Sequence, residues 1–334
     1  MSAPIQHGGG LAAAADLYGG RIEDWLDLST GINPCPPPLP EISPRAFHRL
    51  PDRELEQAAR LAARHYYRSG ERLPLPVPGT QSVIQLLPRL VRPGARVAIL
   101  WPTYGEYARV FEQAGMAVDR IADLDSVTPT HGLVIVVNPN NPDGRAYPPE
   151  RLARLAQDLA RDGRYIVVDE AFGDALPELS VAAATQRNLI VFRSFGKFFG
   201  LAGIRLGFVI ADDDLVAQIA DWLGPWAVSG PALALAAHFL GSDVAPIRAG
   251  IAERCASLHR VLRGTGLVVR GDAGLLTLVE HARAGELHTH LCRHHILTRK
   301  FDYRPDWLRF GLAADEAGDR RLAEALAIWT KSGA

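Results

Sequence analysis

Cysteine is scarce, and Cys35, Cys255 and Cys292 stand far apart. Three scattered thiols exclude a disulfide framework, and their spacing shows no zinc knuckle. Such usage fits a reducing compartment, so a cytoplasmic protein is expected. Neither sign of charge is in excess: 36 Lys+Arg stand against 37 Asp+Glu. A net charge of −1 leaves no basic surplus for a phosphate backbone, which argues against a nucleic-acid partner. Long apolar runs are also missing. The least polar stretch, residues 226–241, contains Ser229 and His238 and falls short of the ~20 apolar residues a membrane span needs. The N-terminal MSAPIQHGGGLAAAADLYGG has neither the basic start nor the apolar core of a signal peptide.

What is present is material for a core. Hydrophobic residues make up 48% and charged residues 22%, which excludes global disorder. A length of 334 residues, at roughly 150 per domain, makes about two domains. Short runs rich in β-branched residues occur at 96–100, 133–137, 165–168, 189–192 and 206–210. They lack polar alternation, as strands covered on both faces do. Between the second and third runs, residues 148–162 place Leu152, Leu155 and Leu159 on one helical face, opened by two prolines and closed by Gly163. This alternation predicts an α/β fold with a mostly parallel sheet. Residues 52–67 predict an amphipathic helix with Asp52 as its N-cap. The proline-rich segment 33–44 reads as an extended arm. A long helical region from Trp226 to about Arg263 precedes strand-like pieces at 267–270 and 275–279, a His-rich segment, and a last helix from about Asp315. The expected division is an N-terminal arm over 1–45, a large domain over 46–225 and a smaller α+β domain over 226–334.

In a doubly wound sheet, ligands bind at the carboxyl ends of the strands. Residue 100 is followed by Trp101-Pro102-Thr103-Tyr104, and Val137 by Asn138-Pro139-Asn140-Asn141-Pro142-Asp143-Gly144. Val168 is followed by Asp169-Glu170-Ala171-Phe172, and Phe192 by Arg193-Ser194-Phe195-Gly196-Lys197, with Arg205 beyond. Upstream, Gly79-Thr80-Gln81 opens a helix. Together these describe a site for an anionic, planar, nitrogen-containing ring that reacts through a lysine amine. Backbone N–H groups at Gly79, Thr80 and Gln81 suit a phosphate, to which Ser194 and Arg205 add a hydroxyl and a guanidinium. Tyr104 offers a ring face. Asn141 can donate to a ring oxygen and Asp169 can hold a ring nitrogen protonated, leaving Lys197 as the covalent anchor. The histidines at 288, 290, 294 and 295 lack a Cys or carboxylate ligand pattern and read as a helical surface, so no metal is expected.

The ordered set resembles the fold-type I pyridoxal 5'-phosphate (PLP) enzymes of the aspartate aminotransferase superfamily. Within it, the chain is similar to the histidinol-phosphate aminotransferase and threonine-phosphate decarboxylase branch over nearly its whole length. His7-Gly8-Gly9, Gly31-Ile32-Asn33-Pro34, Asp169-Glu170-Ala171-Phe172 and Gly203-Ile204-Arg205-Leu206-Gly207 favour the decarboxylase side. The resemblance implies PLP as cofactor, Lys197 and Asp169 as catalytic residues, and a homodimer with the site at its interface. It also implies decarboxylation of L-threonine O-3-phosphate to (R)-1-amino-2-propanol O-phosphate, a step of cobalamin biosynthesis. Arg309 matches the arginine that grips the substrate carboxylate. Arg299 and His7 match positions near the substrate phosphate.

Three departures stand out. Phe172 replaces the tyrosine that donates to the cofactor's ring oxygen in the aminotransferases. Leu50 stands where related chains carry a tyrosine that reaches the partner's cofactor phosphate, and Gly196 stands where Ser or Thr is common. None removes the lysine, aspartate or arginine. A histidinol-phosphate-type aminotransferase needs the same residues and is the first alternative; a non-catalytic partner subunit of this fold is the second.

Overall fold

A computed structural model describes residues 7–331; residues 1–6 of the expected arm and 332–334 of the expected C-terminal domain lie outside them. The central sheet has seven strands in the spatial order Leu75–Val77, Gly207–Ile210, Leu189–Ser194, Tyr165–Asp169, His131–Val137, Arg96–Leu100, Val118–Ile121. Gly207–Ile210 runs antiparallel to both neighbours, and the remaining pairings are parallel. The five apolar runs read from the sequence are all strands of this sheet. Their alternate residues feed two separate cores. Val134, Val136, Ile166, Val168 and Val191 pack on one side, and Leu133, Ile135, Val137, Val167, Ile190 and Phe192 on the other. Both faces are therefore buried, which is why no polar alternation appears in these segments.

The helices follow their end signals. Asp52 caps the helix Arg53–Tyr67 by accepting the Leu55 N–H at 3.0 Å. Pro149 opens the helix Pro149–Ala160, and Gly163 (φ +63°) turns the chain away from it. The region after Trp226 is two helices, Gly230–Leu240 and Ala245–Gly264, and not one long helix. The first of them packs on Arg53–Tyr67. Segment 33–44 forms no helix or strand.

A second sheet, antiparallel throughout, has the order Arg299–Phe301, Arg304–Phe310, Thr277–Glu280, Val268–Asp272. It meets the large unit backbone to backbone: a Cβ on Gly271 would collide with the Asp143 carbonyl, and one on Gly144 with Asp272. This contact fixes the turn that carries Asn141. The N-terminal segment joins the C-terminal part through a short parallel pair, Leu26–Asp27 with Ile296–Leu297. The His-rich segment is the helix Ala284–Arg293, and it corrects the surface reading of its histidines. His288 is buried, with Nδ1 3.0 Å from the Thr298 hydroxyl, and burial pushes its imidazole pKa down to about 4. Among the described residues no helix is long and apolar enough to cross a membrane.

Candidate active site

Lys197 and Asp169 stand at the carboxyl ends of adjacent parallel strands, Leu189–Ser194 and Tyr165–Asp169. Between them opens a cavity of about 240 Å³. Gly79, Thr80, Gln81, Tyr104, Asn141, Asp169, Ser194, Lys197 and Arg205 all line it. His7, Arg299 and Arg309 line a neighbouring cavity of about 250 Å³. Tyr104, Asn141, Phe172 and Lys197 border both spaces. The sequence-derived residues are thus brought together as two adjoining groups with Lys197 at the junction.

Asp169 is buried, and two donors hold it. The Tyr107 hydroxyl donates to Oδ2 at 2.8 Å, and the Ala171 N–H donates to Oδ1 at 3.0 Å. Burial raises the carboxyl pKa, opposed by the Tyr107 hydrogen bond and the Lys197 charge. Among the described residues no cation sits within ion-pair distance of it. Burial likewise lowers the Lys197 pKa; Asp169 works against that shift, while Arg309 and Arg205 add to it. The Lys197 ammonium lies 5.1 Å from the centre of the Phe172 ring. The backbone around Lys197 is tied to the Gly31-Ile32-Asn33-Pro34 turn. The Asn33 N–H donates to the Lys197 carbonyl at 2.8 Å, and the Asn33 amide to the Phe198 carbonyl at 3.0 Å. A Cβ on Gly31 would lie 2.7 Å from the Phe172 ring, so that turn requires glycine to admit the ring.

The phosphate-side turn differs in one detail from its sequence reading. The Gly79 N–H donates to the Val77 carbonyl at 2.6 Å and is not available to a ligand. The donors are those of Thr80 and Gln81, which as first-turn groups have no intrahelical acceptor. Gly79 supplies room instead: at φ +73° it lies so close to Arg205 that a Cβ would fall 2.7 Å from Nη2. Arg205 itself takes φ +56° to aim its guanidinium there. The Gly196 departure has the same kind of cause, since a Cβ at that position would sit 2.7 Å from the Ala202 Cα.

Arg309 is buried and bonded to both halves of the molecule. One Nη donates to the Asn141 side-chain oxygen and the other to the Ser29 carbonyl at 2.6 Å. The first bond fixes the Asn141 amide with its Nδ2 donor left for a ligand. Burial, together with the Arg299 charge, lowers the Arg309 pKa to about 10. Arg299 lies directly across the strand pair from Arg309. His7 lines the cavity, but its Nε2 sits 2.9 Å from the buried Glu106 carboxylate.

Sequence reasoning missed Tyr107, Glu106, Ser29 and Tyr303. Tyr107 and Glu106 lie in the helix Glu106–Gln113, where they read as ordinary amphipathic positions. The available signal was Tyr107 standing three residues after Tyr104, one helical turn away. Tyr303 borders the cavity beside Arg299, with its ring partly open to solvent.

The Aminotransferase class I and II family profile matches residues 23–326. A threonine-phosphate decarboxylase of Sinorhizobium sp is 64% identical over 98% of this chain and 99% of its own length. The threonine-phosphate decarboxylase of Pseudomonas aeruginosa is 43% identical over 96% and 97%. In fold, the chain is similar to the histidinol-phosphate aminotransferase of Sinorhizobium meliloti solved with pyridoxal-5'-phosphate. That match has a TM-score of 0.81 at 21% identity, covering 100% of this chain and 96% of that one. With strand order, cavity and profile in agreement over most of its length, the chain belongs to the aminotransferase class I and II family.

Proposed function

We propose that this chain binds PLP through Lys197 and decarboxylates L-threonine O-3-phosphate. The observation that carries the reading is the pair of arginines, Arg299 and Arg309, facing one cavity that Lys197 also borders. A substrate with a carboxylate and a phosphate presents two anions to two guanidinium forks. The names of the two similar decarboxylases agree with it.

The residues fit the cofactor. Asp169 is a buried carboxylate with no cation at ion-pair distance among the described residues, which suits a protonated ring nitrogen. Arg205, Ser194 and the N–H groups of Thr80 and Gln81 surround room for a phosphate. When bound, PLP supplies the sink for the electron pair left as the Cα–carboxylate bond breaks. Asp169, held by Tyr107 and Ala171, keeps the ring nitrogen protonated. Arg309 binds the substrate carboxylate beside the Asn141 amide, and Arg299 takes the substrate phosphate, with His7 at the rim. Lys197, its pKa lowered, would hold the cofactor through its neutral amine and, once freed by the substrate amine and protonated with the proton that amine gives up, would donate that proton to Cα as carbon dioxide leaves. The cofactor-side residues fall within 46–225, Arg299 and Arg309 within 226–334, and His7 in the arm.

The same reading takes the chain as a homodimer. Leu39, Phe47, Leu50 and Trp226 are all more than half exposed, a set of large apolar side chains suited to a partner surface. Light scattering that finds an active monomer would remove this part.

The deciding experiment supplies PLP-loaded protein with L-threonine phosphate and no oxo acid. Equal release of carbon dioxide and aminopropanol phosphate is expected. No release, with amino transfer from histidinol phosphate to 2-oxoglutarate, would make the chain an aminotransferase.

A further inference from the structure

Away from the cavity, the helix Ala245–Gly264 packs on the strand Val268–Asp272, and its His259 reaches Thr277 of the next strand. Cys255 and His259 stand one turn apart on that helix, on the same face. The His259 Nε2 is 3.8 Å from the Cys255 Sγ, 3.8 Å from the Asp272 Oδ2 and 3.1 Å from the Thr277 hydroxyl. The Thr277 hydroxyl takes the one hydrogen bond of the His259 Nε2, and the Asp272 oxygen at 3.8 Å lies beyond hydrogen-bond distance, so sulfur, nitrogen and carboxylate border one space without being bonded up to each other. The sulfur, nitrogen and carboxylate oxygen all lie within 4.8 Å of one another.

We propose that Cys255, His259 and Asp272 form a structural site for a zinc-type divalent cation, with the Thr277 hydroxyl or a water as fourth ligand. Thiolate, imidazole and carboxylate are the donor types zinc takes. Tetrahedral bonds of about 2.0–2.3 Å separate ligand atoms by roughly 3.3–3.6 Å. The two 3.8 Å separations from His259 need a closure of a few tenths of an ångström, and the Cys255 sulfur and Asp272 oxygen, within 4.8 Å of each other, close by up to about 1.3 Å through side-chain rotation on binding. The Asp272 carboxylate is already oriented, because its Oδ1 accepts the Gly274 N–H at 3.0 Å. Binding deprotonates the Cys255 thiol, and the proton leaves to solvent. The cation would tie the helix to the strand end that abuts the Asp143–Gly144 turn. It touches none of the reacting groups, so its effect is on stability.

The molecule contains its own control. Cys292 and His288 repeat the helical spacing, with Sγ 3.6 Å from Nε2, but among the described residues no carboxylate completes that pair. Metal-free, PLP-loaded protein titrated with Co²⁺ is expected to bind one equivalent through a thiolate. The signs are visible d–d absorption and a near-ultraviolet sulfur-to-cobalt band in the difference spectrum. Zn²⁺ should displace the cobalt and raise Tm. Cys255→Ser and Asp272→Asn should abolish the band, and Cys292→Ser should keep it, with unchanged cofactor absorbance reporting an intact fold. If Cys255→Ser fails to fold, His259→Gln provides the same comparison. No stoichiometric cobalt, or a thiolate band that survives Cys255→Ser or disappears with Cys292→Ser, would overturn the site.

Discussion

Arg299 and Arg309 are direct cross-strand partners in the antiparallel ladder, so two guanidinium groups share one face of the sheet. Like charges placed directly opposite are destabilising, and here one of them is buried. On the proposed function, an anionic substrate binds between the two guanidinium groups and offsets the repulsion. Replacing Arg309 by Lys keeps the charge but loses the fork that spans Asn141 and Ser29. A loss of about 1.5–3 kcal/mol of transition-state binding, roughly 10- to 150-fold in kcat/KM, is expected. Arg299→Ala should raise KM for phosphothreonine with little effect on a substrate lacking the phosphate. Equal losses on both substrates would place Arg299 outside phosphate recognition.

Asp169 makes a pH-dependent prediction for the cofactor-free protein. Its pKa is raised by burial in the folded chain, above the ordinary carboxylate value of about 3.9. The folded form therefore holds more protons than the unfolded one between those two values, and stability falls as pH rises through that window. Asp169→Asn removes the buried charge. The cofactor-free variant should be more stable than the cofactor-free parent at pH 7, with the difference vanishing below about pH 4. With PLP bound the order should reverse, because the variant forfeits a charge-assisted bond worth about 1.5–3 kcal/mol. Denaturation curves with and without cofactor at the two pH values test both signs. Equal stability of the two cofactor-free proteins at pH 7 would mean that the carboxylate is already fully solvated or paired.

Gly196 separates resemblance from packing. The family resemblance leads one to expect Ser or Thr at this position, and a hydroxyl there would add a donor near the phosphate turn. Yet the added Cβ would meet the Ala202 Cα at 2.7 Å, a backbone atom that cannot rotate away. Gly196→Ser is expected to cost about 1–3 kcal/mol, visible as a lowered Tm, and to weaken PLP binding through displacement of Lys197. A variant that binds PLP more tightly at unchanged Tm would show that the 202–204 turn yields freely.

The readable and unreadable parts of this chain divide by physics. Strands such as Tyr165–Asp169 show in the sequence because both faces are buried. Leu75–Val77 does not, being three residues long with Pro76 in its middle, tolerable only at a sheet edge. Val118–Ile121, the other edge, carries the exposed Arg120 and the charged Asp119, which pairs with Arg96 and the buried His131. Asp169, Lys197 and Arg205 are legible because Asp169 ends one apolar strand, Lys197 comes just after the next, and Arg205 stands eight residues beyond Lys197. Tyr107 and Glu106 are not, because their partners Asp169 and His7 are distant in the chain. His288 misleads for a related reason: its burial comes from packing against residue 298, which helical periodicity cannot show.

Behind the site, Arg193 joins the two strand ends that carry the chemistry. It precedes Ser194 on one strand, and its guanidinium reaches Glu170, which follows Asp169 on the next, at 2.5 Å and Asp174 at 2.9 Å. All three side chains are almost completely buried. A carboxylate so placed survives only beside its cation: burial pushes the Glu170 pKa up, and the Arg193 charge is the largest influence opposing it. Removing the guanidinium strands two carboxylates in the interior, which costs about 3–5 kcal/mol in comparable buried pairs. Arg193→Met should therefore lose stability on that scale and loosen PLP, although Arg193 lies outside the cofactor cavity. Adding Glu170→Gln to it removes one stranded charge and should recover part of the loss. If the double variant is no more stable than Arg193→Met, charge burial is not the cause, and the packing of Arg193 over the Tyr67 ring at 4.5 Å becomes the better explanation.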